Sequence, residues 1–143
     1  MLVKITQITP EDTWHLRHTV MWPDKPASYV KLEEDKQGTH YGLWQGEELI
    51  GVVSLFYENG KAQFRKLAVK VSEQGKGYGS KLLAHLMQEV THQNISLNQN
   101  IQSIWCNARS DKTTFYKKFG MLETDKTFSK GGIDYVIMEK LLS

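Results

Sequence analysis

Cysteine is nearly absent: Cys106 stands alone among 143 residues. A single thiol excludes an intrachain disulfide framework and a multi-cysteine zinc site. Long hydrophobic runs are missing as well. No stretch approaches the ~18 apolar residues of a membrane-spanning helix. Met1–Pro10 shows no apolar run of the signal-peptide kind, so a reduced cytoplasmic compartment is expected and no membrane partner. The five histidines fall at no metal-ligand spacing, and no metal is expected. Proline is limited to three residues, Pro10, Pro23 and Pro26, all in the first fifth of the chain.

What is present describes an ordinary globular chain. Hydrophobic residues make up 40% and charged residues 24%, and the length suits one domain spanning residues 1–143. A chain of this size buries about 68–70% of its unfolded surface. Disorder is excluded by 10% aromatics and near-balanced charge. The net charge of +2 hides an asymmetry. Residues 1–58 carry five basic and nine acidic side chains, and residues 59–143 carry thirteen and seven. Within Lys61–Lys81 six cations face only Glu73, an excess that favours an anionic ligand. Phe64 and Tyr78 are the only aromatics there, too few for a base-stacking platform, so nucleic acid is not the expected partner.

Lys4–Ile8 alternates as a strand. Thr9-Pro10-Glu11-Asp12 reads as a helix start, with Thr9 as N-cap, Pro10 at the first helical position and acids in the first turn. That helix runs to about Met21, where Pro23 and Pro26 break it. A second short helix is expected over Tyr29–Glu34, with Glu33, Glu34 and Asp35 as a solvated acidic face. Strands follow at Tyr41–Trp44, Leu49–Tyr57 and Ala62–Val69, the last two joined by the hairpin signal Asn59-Gly60. Tyr78, Leu82, Leu83, Leu86, Met87 and Val90 share one face of a helix ending near Gln93. A loop at Asn94–Asn100, a strand at Gln102–Asn107 and a helix at Lys112–Phe119 stopped by Gly120 come next. The strands Met121–Phe128 and Ile133–Glu139 close the chain. A hairpin meander followed by a β-α-β crossover predicts a mixed, mostly antiparallel α/β sheet of about seven strands with about four helices.

Gln74-Gly75-Lys76-Gly77-Tyr78-Gly79 sits between a strand and the long helix. Glycines let backbone approach a ligand, unpaired N–H groups open the helix, and its dipole adds about half a positive charge. This is a pyrophosphate cradle. It is neither a P-loop nor the G-x-G-x-x-G dinucleotide fingerprint; it matches Q/R-x-x-G-x-G/A. Leu67-Ala68-Val69 precedes it, and Asn107-Ala108-Arg109, Phe115-Tyr116 and Gly120-Met121 follow.

Together these motifs resemble the GCN5-related N-acetyltransferase (GNAT) superfamily, over most of the chain. The tail Phe128…Gly132-Ile133…Met138-Glu139-Lys140 is similar to an ElaA/YjcF-like bacterial subgroup. The resemblance implies a single acetyl-CoA-dependent domain, with a homodimer as the family default. It assigns the pantetheine arm to the backbone of Leu67, Ala68 and Val69. The pyrophosphate falls to N–H groups of Gln74, Gly75, Lys76, Gly77, Tyr78, Gly79 and Ser80. Asn107, Lys112 and Phe115 complete the cofactor side, with Lys112 or Lys117 near the 3′-phosphate. Tyr116 is the implied catalytic residue, a general acid for the departing thiolate. Met121 in place of Phe, and Asp134 where the subgroup places histidine, are departures on the acceptor side.

The expected reaction is direct acetyl transfer to an amine of a small molecule or peptide. A non-catalytic acyl-CoA-binding domain is the alternative. The acids of residues 1–58 lean toward a cationic acceptor. The central strand Ala62–Val69 carries no carboxylate, and Arg65 and Lys66 are not ordinary bases at pH 7. Proton removal through water to His40, Asp134 or solvent is therefore expected. Cys106 reads as a buried, inert thiol, and Trp22 as a residue able to line an acceptor pocket.

Overall fold

The structure is a computed structural model and describes residues 2–96 and 100–142. Strand β1 spans Val3–Ile8 and helix α1 Pro10–Leu16. The start of α1 follows from its sequence. Thr9 Oγ1 accepts from the Asp12 N–H at 3.3 Å, and the Thr9 N–H donates to the Asp12 carboxylate at 3.1 Å. That reciprocal box satisfies two donors the helix cannot pair internally. The helical path continues to Met21, but over Arg17–Met21 it widens into a π-helical turn.

The segment after Pro26 differs from expectation. Instead of one helix over Tyr29–Glu34, two 3₁₀ turns form, at Ala27–Val30 and Glu33–Gln37, with Lys31 and Leu32 extended between them. The cause is Arg17. Its guanidinium is fully buried and donates to the Val30 carbonyl at 3.0 Å, to both Asp35 oxygens at 2.8 and 3.0 Å, and to Ser54 Oγ at 2.9 Å. A continuous helix would keep the Val30 carbonyl for itself. Asp35, read as a solvated acid, is therefore only 3% exposed. Among the described residues there are three α-helices, and with the shorter turns counted this agrees with the about four helices expected.

Strands β2 (Thr39–Gln45), β3 (Glu48–Glu58) and β4 (Lys61–Val69) form the antiparallel meander. Asn59 and Gly60 join β3 to β4 with φ of 54° and 73°. Two successive positive φ values match the twist of a hairpin, and Asn-Gly accepts them at low cost. Helix α2 (Tyr78–Ser96) follows, longer than expected; residues 97–99 of the anticipated loop lie outside the described residues. Leu82, Leu83, Leu86 and Val90 of α2 are each 0% exposed, each contributing about 1.5–3 kcal/mol by burial. Strand β5 (Ser103–Arg109), helix α3 (Thr113–Lys117) and the hairpin β6 (Leu122–Lys130) and β7 (Ile133–Leu141) complete the chain.

The seven-stranded sheet has the order β1-β2-β3-β4-β5-β7-β6. Every neighbouring pair is antiparallel except β4 and β5. That parallel pair is short. Lys61, Ala62 and Gln63 oppose Ser103, Ile104 and Trp105, and the ladder ends there. From Phe64 and Cys106 onward the two strands share no ladder, so backbone donors and acceptors in the middle of the sheet lack strand partners.

Candidate functional site

A cleft of about 700 Å³ opens where β4 and β5 part. One wall is β4 from Phe64 to Val69; the other is Cys106, Asn107 and Arg109 of β5. The glycine loop and the first turn of α2 close one end, α3 supplies Lys112, Phe115 and Tyr116, and Val20, Met21 and Tyr135 lie at the other end. The sequence-predicted residues Leu67, Ala68, Val69, Gln74, Gly75, Gly77, Tyr78, Gly79, Ser80, Asn107, Lys112, Phe115 and Tyr116 all line this one cleft. Lys76 does not: its ammonium turns back to Glu73 at 2.9 Å, which holds its pKa above the usual lysine value. Lys117 is engaged by Glu123 at 2.8 Å, which leaves Lys112 the lysine of α3's approach that lines the cleft.

The loop's shape depends on two glycines. Gly75 and Gly77 have φ of +81° and +84°, and a Cβ on either would meet nothing within 4 Å. Their requirement is conformational and their surroundings are open, which suits a surface for a ligand. Gln74 braces the loop by donating to the Val69 carbonyl at 2.9 Å. Lys81 N–H bonds the Gly77 carbonyl at 3.1 Å, so the first N–H groups of α2 remain for a ligand.

Tyr116 sits in an aromatic cluster on the α3 side. Its ring lies 5.7 Å from Phe64 and 5.1 Å from Phe115. Burial drives its pKa well above the phenol's ordinary value, Cys106 adds to the rise, and Arg109 opposes it. The hydroxyl is therefore protonated throughout the neutral range. Among the described residues no group hydrogen-bonds it. Cys106 is 2% exposed and burial pushes its thiol up to about 12, so it is no nucleophile at neutral pH.

On β4 the register against β3 slips: Ser54 faces Arg65 and Val52 faces Ala68, which leaves Lys66 and Leu67 sharing Val53. At this bulge Lys66 takes φ of 59°, a left-handed conformation a long side chain adopts at a cost. Lys66 lines the cleft. Burial, reinforced by repulsion from Arg65, Lys130, Arg17 and Arg109, lowers its pKa to about 8. Lys66 is thus no ordinary lysine, a departure that spacing alone gave no means to detect.

The two expected proton acceptors are elsewhere. His40 is 2% exposed. Its Nε2 lies 2.8 Å from the Asp35 carbonyl, to which it donates, and its Nδ1 lies 2.6 Å from Ser54 Oγ. Both ring nitrogens are committed to the Arg17 network. Asp134 accepts from Ser129 Oγ on the exposed β6–β7 hairpin. Trp22 is buried, packed on Tyr29 at 5.2 Å, with the Arg109 guanidinium 5.9 Å above its ring. Among the described residues no acid of positions 1–58 lines the cleft, and Glu73 is the one carboxylate that does. Among the described residues no group of three or more potential metal ligands occurs, and no helix is long and apolar enough to cross a membrane.

The sequence model of the Acetyltransferase (GNAT) domain matches residues 5–142. The chain belongs to the GNAT acetyltransferases. A Bacillus subtilis (strain 168) relative, "Uncharacterized N-acetyltransferase YitI", is 26% identical over 99% of this chain and 97% of its own. The crystal structure of Escherichia coli ElaA superposes with a TM-score of 0.76 at 15% identity, covering 97% of this chain and 99% of that one. A GNAT family acetyltransferase from Elizabethkingia anophelis, solved with acetyl-CoA bound, gives 0.73 at 18% identity, with 98% of each chain covered. For this GNAT chain the parted strands, the glycine loop and Tyr116 therefore stand in one cleft on a fold it shares with these proteins.

Proposed function

We propose that this protein transfers an acetyl group from acetyl-CoA directly to an amine, with Tyr116 as general acid. The observation that carries the reading is that the glycine loop, the unpaired edge of β4 and the protonated Tyr116 open onto the same cleft. The donor set suits acetyl-CoA. Backbone N–H groups between Gly75 and Ser80 together with Lys112 would hold its phosphates, and the backbone of Leu67–Val69 would pair with the amides of the pantetheine arm.

In the transfer, the amine nitrogen bonds to the thioester carbonyl carbon and the carbon–sulfur bond breaks. The electron pair leaves on sulfur, and Tyr116 donates its proton to the thiolate and regains one from water. The amine sheds its own proton to water. His40 is enclosed by Ser54 and Asp35, which leaves solvent as the outlet. The reduced cytoplasmic setting of CoA chemistry is part of this reading.

The test is binding first and product second. Acetyl-CoA and CoA raise the melting temperature, because a ligand selective for the folded state stabilises it by RT ln(1 + [L]/Kd). Mass spectrometry then detects an acceptor heavier by one acetyl group. Binding without any acetylated product from a broad amine panel assigns the protein to acyl-CoA sensing instead.

A further inference from the structure

The cleft has a second end that the acetyl-CoA reading does not use. There Arg65 and Lys66 of β4 and Arg109 of β5 line the opening beside Val20, Met21 and Tyr135. Lys130 at the end of β6 and the buried Arg17 lie close enough to act on Lys66. Opposing charge is scarce. Arg17 is neutralised by Asp35 at 2.8 Å. Arg65 reaches only Glu34, at 3.9 Å, whose side chain is 57% exposed. Glu73 lines the cleft but pairs with Lys76 at the glycine loop. Among the described residues neither Lys66, Arg109 nor Lys130 forms an ion pair.

Arg65 and Arg109 lie over the rings of Phe56 and Trp22 at 5.8 and 5.9 Å, and collecting cations with so little opposing charge in a half-buried cleft is unfavourable for the free protein. Moreover, Lys66 is brought there by a bulge with left-handed backbone. The arrangement is complementary to an anion, and the planar forks of Arg65 and Arg109 suit a carboxylate. We propose that the acceptor is a small amino carboxylate whose carboxylate is held by Arg65, Lys66 and Arg109 while its amine is directed at the thioester. This rests on the acetyl-transfer reading and replaces the cationic acceptor that the acidic first 58 residues suggested. Arg65, Lys66 and Arg109 then determine specificity, and Tyr135, opposite Arg109 across the β5–β7 ladder, flanks the acceptor.

The experiment compares matched acceptors that differ in one charge: amino acids against their amides, and 4-aminobutyrate against butylamine. Wild type is expected to favour the acid over its uncharged partner by at least tenfold in kcat/KM, chiefly through KM. Arg109→Gln and Lys66→Met collapse that ratio toward one, and Arg109→Lys retains part of it. A second readout covers the case of no turnover. In CoA-saturated protein the amino carboxylates raise the melting temperature further in wild type and not in Arg109→Gln. Equal or better use of uncharged or cationic acceptors overturns the proposal while leaving acetyl transfer intact. Absence of both turnover and a carboxylate-dependent shift overturns it as well. Failure of CoA itself to shift the melting temperature is the separate signature that the underlying function is wrong.

Discussion

In the proposed transfer Tyr116 has to keep its proton until a thiolate departs, and burial raises its pKa in that sense. Tyr116→Phe removes one hydroxyl and almost no volume. It is expected to leave acetyl-CoA affinity within a few-fold and to lower kcat by roughly 10²-fold or more, the range general acids contribute. Unchanged turnover reduces Tyr116 to a packing residue against Phe64 and Phe115. Lys66 illustrates the opposite economy. Its folded pKa of about 8 lies below the ordinary value of 10.5. The unfolded chain therefore holds a proton that the folded chain releases between those values. The residue destabilises the fold in full below pH 8, and the penalty disappears as pH rises through 10.5. Lys66→Met is expected to stabilise at pH 7 by roughly 1 kcal/mol, the shift being discounted for solvent screening. Urea unfolding at pH 7 and near pH 10.5 checks it: the gain vanishes at the higher pH.

At the scale of elements, the Arg17 network decides how the segment after α1 packs. It joins the π-helical turn to Val30, Asp35 and Ser54 of β3. Burial alone raises the Asp35 pKa, but the Arg17 hydrogen bond and charge, the Leu32 N–H and His40 outweigh it and hold it below the usual carboxylate range. A depressed carboxylate contributes stability above its unfolded pKa, about 3.9, and loses it as pH falls through the folded value. Asp35→Ala strands a buried guanidinium and is expected to cost about 3–5 kcal/mol at pH 7, with the difference from wild type shrinking in acid. Denaturant unfolding of both proteins at neutral and acidic pH measures this. The glycine loop yields a second prediction. Gly77→Asp forces a side chain into φ of +84° and, in the proposed reading, sets a carboxylate against the CoA phosphates, so it is expected to abolish the CoA-dependent melting shift while the protein remains folded. Most elements were legible because each carries local instructions: the Thr9–Asp12 box, the Asn59-Gly60 turn, the apolar stripe of α2. The segment at residues 27–37 was not, because its conformation answers to Arg17, distant in sequence from Asp35 and Ser54.

At the scale of the whole molecule, the parting of β4 and β5 opens a cleft in the sheet. The residues proposed for the cofactor could be named from sequence, since the glycine loop, Leu67-Ala68-Val69 and Phe115-Tyr116 are contiguous motifs, and all of these but Lys76 line one cleft. Those at the other end could not, because Arg65, Lys66 and Arg109 come from two strands and become one cluster only through the bulge and the splay. The fate of the amine proton is also a property of the assembled fold. With His40 sealed between Ser54 and Asp35, kcat/KM for an acceptor that arrives as an ammonium ion and carries no carboxylate is expected to rise with pH toward the amine's own pKa, without a limb near pH 6.5. A plateau above pH 7 that disappears in His40→Ala contradicts the outlet to solvent.

The central claim is that this cleft performs acetyl transfer, and its most direct test is acceptor-dependent thiol release. Purified protein with saturating acetyl-CoA is assayed for free CoA with and without amino carboxylate acceptors, alongside Gly77→Asp and Tyr116→Phe. The account predicts release that requires both the protein and the acceptor, is absent in Gly77→Asp and falls roughly 10²-fold in Tyr116→Phe. Release at the same rate without any acceptor, or equal rates in wild type and both variants, would contradict it.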